Sequence, residues 1–100
     1  MPKQTKNKTH EAIQELVGDD HGVMFYDGLD EAIIGTAERI NLGPVVAYDV
    51  EKILEIYIER DGMTYEEAQE FFQYNVIGGW NGEMTPVFIN KIEIDDKTNK

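Results

Sequence analysis

The side chains able to do chemistry in this chain are almost all carboxylates. Asp19, Asp20 and His21 lie in one polar run, and Asp27, Asp30 and Glu31 follow shortly after. Oxygen ligands of this kind suit calcium or magnesium, and these six residues are the candidates for holding a divalent ion in a small metal-assisted enzyme. Their spacing matches no calcium loop. Carboxylate pairs could also serve acid–base chemistry, but with 20 acidic residues such pairs are unavoidable and single out no site. Covalent catalysis has little to draw on. The chain contains neither serine nor cysteine, its only histidines are His10 and His21, and no G-x-S-x-G, H-E-x-x-H or Walker-type lysine motif occurs. The lack of cysteine also excludes disulfides and thiolate zinc sites. No catalytic residue is assigned, and no cofactor is expected.

A second set of carboxylates has a regular spacing. Glu51, Glu55 and Glu59 fall at i, i+4 and i+8, and Glu66 and Glu70 repeat that interval. On a helix, like charges so placed cost a few tenths of a kcal/mol per pair, roughly 0.2–0.5. Glu59 also sits near the negative end of its helix dipole. Such a face is either a plain solvated surface or an acidic ridge offered to a basic partner, where spaced carboxylates could imitate phosphates.

A third candidate is the run "VIGGWNGEMTPVFIN" over residues 76–90. One reading is structural. Gly78 or Gly79 takes the left-handed conformation that ends a helix, Asn81-Gly82 makes a tight turn, and Trp80 packs its ring over the helix end. The other is functional: Trp80, Asn81 and Glu83 on a turn form a contact patch. A phosphate cradle is disfavoured, because these glycines follow a helix and precede a strand, the reverse of a nucleotide loop.

The elements that must position these residues follow from local rules. Thr9 can cap a short helix over residues 10–17, with Ala12, Ile13, Leu16 and Val17 on one face and Gly18 as its stop. Residues 23–26 are apolar and could form a strand. Residues 31–40 and 45–48, joined by a turn at Asn41-Leu42-Gly43-Pro44, read as a β-hairpin. Asp49 caps a helix over residues 50–60 with Val50, Ile53, Leu54, Tyr57 and Ile58 as its apolar stripe, ended by Asp61-Gly62. Thr64 and Glu67 form a capping box, with Met63 and Ala68 placed as a staple, for a helix over residues 65–77. Its inward stripe is Ala68, Phe71, Phe72 and Val76. Residues 85–94 read as the last strand. The expected fold is therefore α+β: a small, mainly antiparallel sheet of three or four strands, two main helices packed on one face, and a short N-terminal helix.

Length and charge bound the rest. One hundred residues favour one domain, placed here at residues 9–94 between a disordered basic tail (1–8) and a C-terminal tail (95–100). Lys3, Lys6 and Lys8 are followed by no apolar stretch, so no secretory leader is expected, and no segment approaches the ~20 apolar residues of a membrane helix. The formal net charge is −11. Between residues 9 and 96 all 20 carboxylates face only Arg39, Lys52, Arg60 and Lys91, four cations, so that stretch carries −16. A field of that sign repels nucleic acid and acidic lipid and attracts basic protein surfaces. The expected partner is a protein with a basic surface, without direct nucleic-acid or membrane binding; a homo-oligomer stays open.

Four blocks carry a resemblance: "YDGLDEAIIG" (26–35), "VAYDVEKI" (46–53), "RDGMTYEEAQEFF" (60–72) and "YNVIGGWNGEMTPVF" (74–88). Their succession resembles a family of small, uncharacterised phage and prophage proteins, over about two-thirds of the chain. The resemblance implies a bacteriophage or prophage origin and a place in the host bacterial cytoplasm, and it supplies no activity. The expectation is a non-enzymatic phage accessory protein that binds a host or phage protein. The alternatives are the metal-assisted enzyme above and a self-assembling structural component.

Overall fold

Val45, Val46, Ala47 and Tyr48 are apolar in succession, so a strand built from them needs cover on both faces. The computed structural model describes residues 8–17 and 23–94. In it Val45–Asp49 is β2, the middle strand of a three-stranded sheet, and those four residues are all buried. β1 (Ile33–Ala37) pairs with β2 antiparallel, with a register shift between Ile33 and Gly35. The third strand, β3 (Val87–Ile89), pairs with β2 in parallel, so Tyr48 lies opposite Phe88. The fold is α+β as expected, with a mixed sheet whose hairpin is antiparallel.

The helices follow the strands directly. Asp49 ends β2 and caps α2 (Val50–Asp61), accepting the Glu51 backbone N–H at 3.1 Å. Its other carboxylate oxygen pairs with Lys91 at 3.2 Å, which ties the chain beyond β3 to the same corner. Gly62 at φ 73° ends α2 in the left-handed conformation that a glycine adopts most readily. Both halves of the capping box then start α3 (Tyr65–Phe72): Glu67 N–H to the Thr64 hydroxyl at 3.1 Å, and Thr64 N–H to the Glu67 carboxylate at 2.9 Å. Val50, Ile53, Leu54 and Tyr57 of α2 and Ala68 and Phe72 of α3 are buried with Val46 and Tyr48 in one core. Phe88 joins these layers, with ring centroids 5.4 Å from Phe72, 5.8 Å from Tyr48 and 5.7 Å from Tyr26.

Several expectations are corrected. Residues 23–26 form no strand; they run along the core, and the Tyr26 N–H donates to the Tyr48 hydroxyl at 2.7 Å instead of joining a ladder. The N-terminal helix α1 spans Lys8–Val17, so Thr9 lies inside it and not at its cap. Of its expected apolar face, Ile13 is buried while Ala12 and Leu16 are exposed. The last strand stops at Ile89, and residues 90–94 are exposed and irregular. Phe71 is partly exposed, its ring edge against Tyr57 at 5.0 Å. The helix after Thr64 is not α-helical to its end: Gln73–Ile77 form a π-helical turn. Gly18, Asp19, Asp20, His21 and Gly22, and the two terminal tails except Lys8, lie outside the described residues.

Candidate functional site

The sequence pointed to three sets of residues, and the structure redistributes them. The acidic set divides between two hollows. Glu51 of α2 and Glu66 and Glu70 of α3 edge an open groove of about 1020 Å³. Its inner surface includes Leu54, Phe72 and Phe88, and its wall is built by Tyr65, Tyr74 and Ile77. Glu59 lines a second hollow of about 390 Å³ together with Asp30, Glu31 and Arg60. Glu55 is exposed between them and reaches Lys52 at 3.6 Å, a weak surface pair.

The cations explain why this face stays negative. Arg39 donates to the Gly43 and Leu42 carbonyls, at 3.0 and 3.3 Å. Arg60 is clamped to Asp61 through two bonds of 2.9 Å and to the Gly28 carbonyl at 2.9 Å. That contact raises the Arg60 pKa and lowers that of Asp61, through the hydrogen bonds between them. Lys52 is turned to Glu55 and Lys91 to Asp49. Among the described residues, Glu51, Glu59, Glu66 and Glu70 therefore form no ion pair.

The candidate metal set is only partly in view. Asp27 and Glu31 are exposed, and Asp30 is half-buried. An Asp30 carboxylate oxygen meets His10 Nε2 at 2.8 Å, and the His10 ring stacks on Phe25 with centroids 3.8 Å apart. Among the described residues no three His, Asp or Glu side chains come together as a ligand set. His10 thus anchors α1 to the segment that leads into β1, a role that depends on two residues distant in sequence.

The structural reading of the glycine-rich stretch is corrected on two of its three counts. Gly78 is right-handed at φ −69°, and Gly79 is not left-handed either. Gly78 sits in a close place: a Cβ there would stand 3.1 Å from the Tyr74 carbonyl oxygen and 3.2 Å from that of Gln73, so a larger residue would make these carbonyls give by a few tenths of an ångström. The turn that follows is held by Thr85, which donates its hydroxyl to the Gly82 carbonyl at 2.6 Å and accepts the Asn81 N–H at 2.8 Å. Gly82, at φ 103°, supplies the positive dihedral expected there. Trp80 does not pack on the helix end; it is 76 % exposed, and Asn81 and Glu83 are exposed beside it in sequence.

Tyr65, Tyr74 and Ile77 escaped sequence reasoning. Tyr74 and Ile77 stand off the inward stripe of their helix, and that misplacement was the available signal; Tyr65 is in phase with the stripe and gave none. No helix among the described residues is long and apolar enough to cross a membrane. Compared with protein-family models, with curated proteins and with solved structures, the chain matches none of them.

Proposed function

We propose that the chain is a small acidic phage accessory protein that acts by binding rather than by catalysis, and that it covers a basic surface of a host or phage protein in the manner of a nucleic acid. The observation that carries this reading is that, among the described residues, Glu51 and Glu59 of α2 and Glu66 and Glu70 of α3 are left without a cation, while Arg39, Arg60 and Lys91 are engaged elsewhere and Lys52 is turned to Glu55. Leaving like charges adjacent on two helices opposes local stability, and a basic partner would relieve that cost. The phage origin and the host-cytoplasmic setting belong to the same proposal and rest on the four sequence blocks.

The test is capture from nuclease-treated bacterial lysate, eluted by salt and, in parallel, by duplex DNA. A basic protein that elutes with moderate salt, is displaced by DNA, and is lost with Glu51, Glu59, Glu66 and Glu70 changed to Gln is the expected result. Capture that ignores both salt and these substitutions would refute the reading.

The exposed Ile34 on edge strand β1, with exposed Ile40 and Leu42 in the hairpin turn, favours a second reading, a self-assembling component. Light scattering separates the two, since this one requires a stable oligomer.

A further inference from the structure

The groove between α2, α3 and β3 has the features of a seat for a polypeptide. We propose that it takes an amphipathic, basic helical segment of the partner, with apolar side chains one turn apart entering the groove and Lys or Arg on its flanks meeting Glu51, Glu66 and Glu70. This rests on the reading above that the partner is basic, and adds where it docks and through which side chains.

Three observations support this occupant. At about 1020 Å³, the groove reaches the upper end of small-ligand sites, which run to ~1,000 Å³, and has room for a chain segment. Its wall is unusual for a free surface. Tyr74 is 81 % exposed, and Tyr65 and Ile77 are exposed with it, so three large side chains await cover. Tyr74 and Ile77 both sit on the π-turn, a rare geometry that here sets the wall. Finally, the rim glutamates carry no cation among the described residues, and the chain has a net charge of −11. A second copy would set like charges against each other here, whereas a basic segment would neutralise them.

The experiment is fluorescence anisotropy with three labelled probes: a leucine–lysine peptide of helical period, the same residues scrambled, and oligolysine of equal charge. The helical peptide should bind at least ~tenfold more tightly than the other two. Tyr74→Ala should weaken it by ~tenfold, while Tyr74→Phe, which keeps the ring, should not. Glu66→Gln and Glu70→Gln should each weaken it and flatten its salt dependence, and Glu55→Gln should not. Equal binding of the helical peptide and oligolysine would overturn the groove and leave the charge-based function standing. Failure of all three probes to bind would overturn both. A leucine–glutamate peptide of the same helical period, run as a control beside these three, should not bind, and its equal binding would overturn the basic occupant. A dimer abolished by Tyr74→Ala would overturn it as well, by assigning the groove to a second copy.

Discussion

The backbone N–H of Tyr26 donates to the Tyr48 hydroxyl at 2.7 Å, so a side chain of the central strand does for this segment what a neighbouring strand would otherwise do. Tyr48 is fully buried, and the two rings meet edge to face with centroids 5.8 Å apart. Tyr48→Phe leaves that amide without its acceptor and should cost about 1–3 kcal/mol, read as a lower urea midpoint at unchanged m-value. Tyr26→Phe should behave oppositely. The Tyr26 hydroxyl is buried with no partner among the described residues, and its removal should leave stability unchanged or raise it by up to ~1 kcal/mol.

Alkaline unfolding should follow from the same residues. Burial raises the pKa of both Tyr48 and Tyr57 above the ordinary value of 10.0. Their contribution is complete below that value and is lost as pH climbs through the raised folded-state values. Stability should therefore hold up to pH ~10 and fall above it. Urea midpoints measured across that range check this, and Tyr57→Phe should make the fall shallower.

Asp49 serves two elements at once, and two substitutions separate its roles. Asp49→Ala removes the cap of α2 and the Lys91 contact together and should cost about 1–2 kcal/mol. Asp49→Asn keeps a capping oxygen while losing the charge pair, and should cost under ~1 kcal/mol. Thermal unfolding of the two variants resolves the difference.

Glu59→Lys should make the free protein more stable and a worse binder. It removes a repulsion with Glu55 and places a cation near the C-terminal end of α2, for a gain of about 0.3–1 kcal/mol. Stability measured by denaturation and affinity for the captured partner should move in opposite directions. A variant that gains stability and keeps full affinity would show that this carboxylate is only a solvated one.

His10→Ala should loosen α1 without unfolding the sheet. The stack on Phe25 and the bond to Asp30 hold the helix to the rest of the chain. Amide exchange should rise ~tenfold or more in Lys8–Val17, a loss of roughly 1.4 kcal/mol, and remain slow in β2.

Much of the fold was legible in the sequence where the governing rule is local. The Val50, Ile53, Leu54 and Tyr57 stripe, the Asp49 cap, the Gly62 stop and the reciprocal Thr64–Glu67 bonds all depend on residues within a turn of one another. The β1–β2 hairpin was legible for the same reason. What escaped depends on where distant segments meet. The direction of β3 is set by how α2 and α3 return the chain, and no residue of Val87–Ile89 encodes it. The anchoring contacts of His10 are not legible locally, because Phe25 and Asp30 are not its sequence neighbours. The π-turn inserts one extra residue into a helical repeat, a shift that leaves the apolar pattern nearly intact while moving Tyr74 and Ile77 to the groove. The breakers around Trp80 leave a packed ring and a contact residue equally open, because burial is decided by what stands opposite, and there it is exposed.

The exposure of Trp80 has an optical consequence. It is the only tryptophan in the chain, so all indole emission arises from a water-facing ring on the 78–86 loop. That emission should already be red-shifted in the folded state and should change little on denaturation, while tyrosine signals from Tyr48 and Tyr57 follow the melting of the core. The same chromophore should shift to the blue and resist quenching by iodide when a ligand covers that loop. The chain thus carries separate built-in reporters for folding and for contact at its surface, which can be read at different wavelengths in one cuvette.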